Sequence, residues 1–293
     1  MTSVDVAVAG GTLRVGRWGG SGPTVLALHG ITANHRCWEP TARLLDDVQV
    51  VAPDLRGRGG SAELPGPFGM ARHAEDAVAV LDALGIDKAV VVGHSMGGFV
   101  ALVLAHRRPD RVRRLVLVDG GLPLPQPSSV DPDAALEELI GPAATRLATT
   151  FPSRAAHLEF WRAHPAFRDW NTDMERYVDY DLVGTPPQLR SACSIEAVRA
   201  DTIDLATGSA LPDALSVLED RPAGRVPMLR AEGGMLGNPP GLYPPEVATD
   251  WAQQIPALDI RTVAGTNHYT ILLAEQGASA VAAAVRDVAT CRG

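Results

Sequence analysis

The chain has 293 residues, a length that fits one large α/β core with an insertion as well as two separate domains. Apolar residues make up 46% and charged residues 20%, which is typical of a globular protein with a sizeable core. A net charge of −8 argues against nucleic-acid binding, because the phosphates would be repelled. Cys37, Cys193 and Cys291 form neither a C-x-x-C motif nor a disulfide framework, so we expect no zinc site and a reducing compartment.

The first residues, Met1 to Asp5, lack a charged segment followed by a long apolar stretch. No apolar run in the sequence is long enough to span a bilayer. We therefore expect a cytoplasmic protein that binds neither membranes nor nucleic acid. The sequence specifies no oligomeric state.

In chain order, the sequence predicts an antiparallel hairpin and then alternating strands and helices. Residues 4–9 and 13–18 flank Gly10-Gly11 and form the hairpin. Short apolar runs predict strands buried on both faces, at 24–28, 48–52, 89–92, 115–118, 226–231 and 258–263. Apolar residues at helical spacing predict helices at 36–45, 71–84, 99–106, 245–254 and 271–288. The alternation indicates an α/β fold with eight strands in a mostly parallel sheet.

The alternation lapses after the sixth strand, where the pattern predicts short helices, such as 134–140 and 154–163, and no clear strand. We interpret residues 122–224 as a helical cap over the C-terminal edge of the sheet, where open α/β sheets bind ligands. Residues 1–121 and 225–293 then form the core. This stretch holds half of the chain's 14 aromatic residues (5 Phe, 5 Trp and 4 Tyr), and we expect most to pack the cap and one or two to line a pocket.

Residues 90–99 read V-V-V-G-H-S-M-G-G-F, which predicts a strand, a tight turn and the start of a helix. A serine at the apex of such a turn has a strained backbone, so small residues are needed two positions before and after Ser95. Ser95 also lies at a helix N-terminus, where free N–H groups favour negative charge on a nearby oxygen. The segment lacks the order of a phosphate or dinucleotide loop. Ser95 is therefore predicted to be a nucleophile, and we expect the neighbouring His94 to point away from it.

The eight strands, the G-x-S-x-G turn and the insertion after the sixth strand resemble the α/β-hydrolase fold over essentially the whole chain. Residues 53–61, P-D-L-R-G-R-G-G-S, are similar to a segment that follows the fourth strand in this family. In that segment we expect structural rather than catalytic roles.

The resemblance implies a chain order of nucleophile, acid and histidine, and His268 follows the last predicted strand, where the base belongs. Two acids stay open: Asp119, at the tip of the sixth strand, which we favour, and Glu232, at the end of the seventh. The resemblance also implies an oxyanion hole formed by the backbone N–H groups of Ile31 and Met96.

These features predict a serine hydrolase that cleaves a small to medium, largely apolar carboxylic ester or lactone through an acyl-enzyme intermediate. We expect no cofactor and no metal. The same residues would serve a thioesterase, an amidase or a carbon–carbon bond hydrolase. A ligand-binding member of the fold without turnover is the alternative from another functional class. The sequence does not specify the substrate.

Overall fold

The computed structural model describes residues 1–124, 145–219 and 226–290. The predicted helix at 134–140, Cys291 and parts of the predicted cap lie outside these ranges. Within the described residues, no helix combines the length and the apolar character that crossing a membrane requires.

One sheet of eight strands organises the molecule. Its order is β1-β2-β4-β3-β5-β6-β9-β10, with β7 and β8 in a separate small sheet. The first two strands pair antiparallel, β2 pairs antiparallel with β4, and the remaining neighbours are parallel. This arrangement confirms the prediction of an eight-stranded, mostly parallel sheet. The strands are β1 (Thr2–Val8), β2 (Gly11–Gly19), β3 (Thr24–Leu28), β4 (Gln49–Pro53), β5 (Ala89–His94), β6 (Val112–Val118), β7 (Leu182–Val183), β8 (Arg190–Ser191), β9 (Val226–Gly233) and β10 (Leu258–Asn267).

The central strand β5 is buried along its whole length because helices cover both faces of the sheet. Val91 packs into a core with the helices of one face, whereas Val90 and Val92 pack into a second core with the C-terminal helix. Successive side chains of a strand point to opposite faces, so an uninterrupted apolar run supplies both cores.

The described helices agree with the predicted pattern and differ at two places. Helix 36–45 is a 3-10 turn, His35–Trp38, followed by a short α1, and the closing helix is interrupted at Ala274. The helices are α1 (Glu39–Arg43), α2 (Met70–Ala83), α3 (Met96–Arg107), α4 (Arg154–Arg162), α5 (Thr172–Tyr180), α6 (Ile195–Thr207), α7 (Ala210–Glu219), α8 (Pro245–Gln254), α9 (Thr270–Leu273) and α10 (Glu275–Thr290).

Between β6 and β9 the described residues contain the helices α4 to α7, a helical stretch at 145–148, the 3-10 helix Pro165–Phe167 and the antiparallel pair β7–β8. The expectation of no strand in this stretch was wrong, because strands of two residues are too short to leave an alternating pattern. Buried polar contacts join this stretch to the rest of the chain. The Tyr180 hydroxyl donates to Asp54 across 2.7 Å, and Asp201 pairs with Arg58 at 2.6 Å.

Candidate active site

Ser95 occupies the turn between β5 and α3, with a left-handed backbone of φ 53° and ψ −124°. A Cβ atom on Gly93 would lie 2.1 Å from the carbonyl oxygen of Gly97, and one on Gly97 would lie 2.1 Å from that of Leu28. Both positions therefore require glycine, as the motif predicts. The conformation of Ser95 is a strained one for a residue with a side chain, and such strain is concentrated at functional sites.

His268 and Asp119 meet beside this turn, although 149 residues separate them. His268 Nδ1 lies 2.7 Å from Asp119 Oδ2, and Oδ1 of the same carboxylate accepts the Ala231 N–H at 3.0 Å. Because an ionised carboxylate only accepts hydrogen bonds, Nδ1 carries the proton and Nε2 keeps its lone pair. The dyad is buried, with Asp119 fully inaccessible and His268 4% exposed. His268 is thus held in the tautomer that a general base at Nε2 requires.

The alternative acid, Glu232, lies on an exposed position at the end of β9. Its carboxylate accepts the backbone N–H of Gly265 at 2.8 Å. Of the two acids that the sequence left open, the structure brings Asp119 to His268.

Ser95, His268, Ile31 and Met96 all line one cavity of about 60 Å³, more than a single water molecule needs. The Ser95 hydroxyl makes no hydrogen bond to the residues that the structure describes, and neither does His268 Nε2. Catalytic hydrogen bonds are often long in the absence of substrate and tighten when it binds. The cavity therefore brings together the predicted nucleophile, base and oxyanion donors.

The loop after β3 presents the Ile31 N–H, and the histidine before it fixes the loop. His29 Nε2 accepts the Leu55 N–H at 2.9 Å, so Nδ1 carries the proton and donates to the Gly30 carbonyl at 2.8 Å. That carbonyl belongs to the same peptide group as the Ile31 N–H. Burial lowers the pKa of His29 to about 4, so the ring stays neutral and keeps this arrangement at neutral pH.

Two buried arginines hold the next two carbonyls of this loop. Arg58 donates to the Ile31 carbonyl at 2.8 Å and Arg146 to the Thr32 carbonyl at 3.1 Å. Each guanidinium is neutralised by a carboxylate from the stretch between β6 and β9, Arg58 by Asp201 and Arg146 by Asp181. No local sequence pattern indicates these contacts, because both carboxylates are distant in the chain.

His94 was expected to point away from Ser95, but it lines the same cavity and contacts His268. Its Nε2 lies 2.9 Å from the backbone carbonyl of His268, and the two ring centroids are 4.6 Å apart. Because a carbonyl only accepts, Nε2 carries the proton and the buried Nδ1 is left without a partner. Burial, together with the nearby His268, lowers the pKa of His94 well below 6.5. The ring is therefore a neutral donor to the main chain of the predicted base.

The remaining lining of the cavity is mostly apolar. No Asp, Glu, Lys or Arg side chain lines it among the described residues. In the same ranges, 1–124, 145–219 and 226–290, no cluster of three or more His, Cys, Asp or Glu side chains could hold a metal ion. The apolar lining consists of Ile31, Ala33, Met96, Phe99, Leu124, Leu205, Met235, Leu242, Leu272 and Leu273, with Cys37 and the rings of Tyr177 and Tyr269 beside them.

A sequence profile described as the alpha/beta hydrolase fold matches residues 23–192. The chain belongs to this family. Lipase LipV of Mycobacterium tuberculosis is 43% identical over 113 residues, which cover 38% of this chain and 43% of the lipase. A putative carbamate hydrolase, RutD of Caulobacter vibrioides, is 33% identical over 186 residues, or 61% of this chain and 65% of that protein. These alignments span less than two thirds of either relative.

Solved structures share the fold over nearly the full length. E-2-(acetamidomethylene)succinate hydrolase superimposes with a TM-score of 0.78, at 23% identity, over 97% of this chain and 99% of that chain. The thioesterase domain from the curacin biosynthetic pathway gives a TM-score of 0.75 at 19% identity, over 98% and 99% of the two chains. At these identities the likeness concerns the fold alone.

Proposed function

We propose that this α/β hydrolase is a serine hydrolase that cleaves a small to medium, largely apolar carboxylic ester or lactone. The observation that carries the proposal is the 2.7 Å contact of Asp119 with Nδ1 of His268, which lines the same cavity as Ser95. A serine hydroxyl is a weak nucleophile at neutral pH and needs an oriented base within reach. The dyad supplies that base.

In the first half of the reaction, Ser95 Oγ attacks the carbonyl carbon while its proton passes to His268 Nε2. The carbonyl oxygen becomes an oxyanion, which the N–H groups of Ile31 and Met96 bind. Asp119 stabilises the imidazolium that forms. The tetrahedral intermediate collapses, the bond to the leaving oxygen breaks, and Nε2 returns the proton to that oxygen. The products are an alcohol and an acyl group on Ser95.

In the second half, water attacks the acyl carbonyl and gives one proton to His268 Nε2. The same two N–H groups bind the second oxyanion. When this intermediate collapses, the bond to Ser95 Oγ breaks and the imidazolium returns the proton to it. The acid leaves and the serine is restored. Each oxyanion donor typically contributes about 2.7 to 4 kcal/mol to such a barrier.

The chemistry of the cavity supports an uncharged, largely apolar acyl group. Its described lining is mostly aliphatic, aromatic and sulfur-containing and includes no Asp, Glu, Lys or Arg side chain. Burying a charged substrate group there without a counter-ion would cost several kcal/mol. An apolar acyl chain loses water-exposed surface at no such cost.

The experiment is a turnover panel of p-nitrophenyl esters of increasing acyl length, lactones, acyl thioesters and amides, with wild type and Ser95→Ala. The proposal expects the highest kcat/KM on a short or medium ester or lactone and a loss of at least 10³-fold in Ser95→Ala. If kcat/KM is highest on a thioester or an amide, the same residues would instead be assigned to the hydrolysis of that substrate class. Wild-type activity no greater than that of Ser95→Ala would instead favour the ligand-binding member of the fold.

A further inference from the structure

Two tyrosine side chains line the mostly apolar cavity. Tyr177 belongs to α5, and Tyr269 directly follows His268. Both line the cavity that holds Ser95, and Tyr177 is 5% exposed. Both side chains therefore border the cavity that holds the predicted nucleophile.

The hydrogen bonds of the four tyrosines in the chain divide them into two pairs. The Tyr180 hydroxyl donates to the Asp54 carboxylate and the Tyr243 hydroxyl to the Leu122 carbonyl, both at 2.7 Å. The hydroxyls of Tyr177 and Tyr269 have no hydrogen-bond partner among residues 1–124, 145–219 and 226–290. Tyr177 is buried and Tyr269 is half-buried, and a tyrosine hydroxyl at such a position gains free energy when it pairs with a polar group. The tyrosines without one are the two that line the cavity.

Burial also fixes the protonation state of these groups. Desolvation raises the pKa of Tyr269 to about 12 and that of Tyr177 well above 10. Both phenols are therefore neutral O–H donors at any pH at which the protein works. Two O–H groups match the two lone pairs of one carbonyl oxygen.

The surroundings of the two hydroxyls disfavour a charged partner. The charge of the buried Arg146 acts on both phenols, but Arg146 pairs with Asp181 and donates to Ser191 and to the Thr32 carbonyl. It does not line the cavity. A carboxylate at the tyrosines would lack a counter-ion, whereas a neutral carbonyl would be satisfied by the phenols alone.

We propose that Tyr177 and Tyr269 form a subsite that hydrogen bonds an uncharged ketone oxygen in the acyl part of the substrate. The substrate class becomes a neutral oxo-acyl ester or lactone, with its ester carbonyl at Ser95 and its second carbonyl at the tyrosines. This inference rests on the proposed function for the identity of the scissile bond. The hydrogen bonding of the ketone itself does not require turnover.

The test compares ethyl hexanoate with ethyl 3-, 4- and 5-oxohexanoate as ligands of the Ser95→Ala protein, which binds without hydrolysis. Dissociation constants are measured by titration calorimetry for Ser95→Ala alone and combined with Tyr177→Phe or Tyr269→Phe. Tyr180→Phe in the same background is the matched control, because it removes a hydroxyl that lies outside the cavity lining.

At least one oxo ester should bind roughly 10-fold more tightly than the plain ester, as one to two good hydrogen bonds allow. Each cavity Tyr→Phe change should remove most of that preference and leave the plain ester within about 3-fold. The Tyr180→Phe protein should keep the preference. Equal binding of all four esters, or a preference that survives both cavity substitutions, would overturn the proposal and leave a bound water as the partner of the hydroxyls.

Turnover of the same four esters by the wild type separates this inference from the proposed function. If the wild type hydrolyses the plain ester but the tyrosine variants keep the same preference for oxo esters over the plain ester, the proposed subsite is wrong and the hydrolase function stands. If the oxo preference is present in binding but no ester, thioester or amide is turned over, the subsite stands and the hydrolase function fails.

Discussion

His268 donates from Nδ1 to the carboxylate of Asp119 across 2.7 Å, so the ends of β6 and β10 are joined by one buried hydrogen bond. The residue between them in the sheet also takes part, since Ala231 of β9 donates its N–H to the other carboxylate oxygen at 3.0 Å. The carboxylate is therefore fixed by two donors, one within β9 and one directly after β10. Its position depends on the alignment of these strand ends in the sheet.

Asp119→Asn should lower kcat by roughly 10³- to 10⁴-fold, because an amide can donate to Nδ1 and select the wrong imidazole tautomer. Glu232→Gln is the matched control and should retain activity within about 3-fold, since Glu232 bonds the Gly265 N–H instead. Ester turnover is measured after circular dichroism shows that both variants are folded. Loss of activity in the glutamine variant and not in the asparagine variant would reverse the assignment of the acid.

Gly30→Ala should lower kcat by roughly 10- to 100-fold. The added Cβ would lie 3.1 Å from Ser95 Cβ and 3.3 Å from His94 Nδ1, so the loop or the serine has to shift by a few tenths of an ångström. Small misplacements of reacting groups carry large rate penalties. Steady-state kinetics should show a decrease in kcat that is larger than the change in KM.

Gly85→Ala is the control for this change. Gly85 has a left-handed backbone, φ +66°, and its added Cβ meets nothing within 4 Å. The substitution should cost about 1 kcal/mol of stability and leave kcat unchanged. A Gly30→Ala protein with wild-type kcat would contradict the close approach of this loop to Ser95.

His94 acts as a positioning residue for the base in this account. His94→Leu removes the donor to the His268 carbonyl and should lower kcat roughly 10- to 100-fold with KM within about 3-fold. His94→Gln retains an N–H donor of similar reach and should recover most of the loss. A merely space-filling role predicts the opposite order, with leucine at least as active as glutamine.

Acidification should destabilise the protein through histidines that are buried in neutral form. The pKa of His29 is lowered to about 4 and that of His157 also to about 4, and those of His94 and His164 are lowered as well. Above pH 6.5 these histidines are neutral in both the folded and the unfolded state, so their titration does not lower the free energy of unfolding. As the pH falls from 6.5 to 4, the unfolded state binds protons that the folded state excludes, and stability is lost.

For His29 alone, the shift from 6.5 to about 4 corresponds to about 3 kcal/mol. Urea unfolding at pH 7, 6, 5 and 4.5 should show a midpoint that falls steadily over this range. In His29→Asn, whose side chain does not titrate, the fall should be smaller. A midpoint that stays constant or rises as the pH is lowered would contradict the burial of neutral imidazoles.

The elements of the core and the apex serine could be predicted from the sequence because their signals are local. A strand buried on both faces is an uninterrupted apolar run, and Gly93 and Gly97 are required by contacts within the turn and with the adjacent strand. Such features depend on few neighbours. They can be recognised in a window of about ten residues.

The choice between Asp119 and Glu232 could not be made from the sequence, since it depends on how the ends of three strands align in the sheet. The contact of His94 with His268 spans 174 residues, and the pairing of Arg146 with Asp181 spans 35. The hairpin β7–β8 has two residues in each strand. No pattern within the chain encodes these features separately from the tertiary packing.

The central claim is that Ser95 is a nucleophile activated by His268. Incubation with a fluorophosphonate probe, followed by peptide mapping, measures this directly. We expect one covalent adduct on Ser95 in the wild type, none in Ser95→Ala, and labelling slowed by at least 10²-fold in His268→Gln. A folded wild-type protein that takes up no probe, or an adduct that persists in Ser95→Ala, would contradict it.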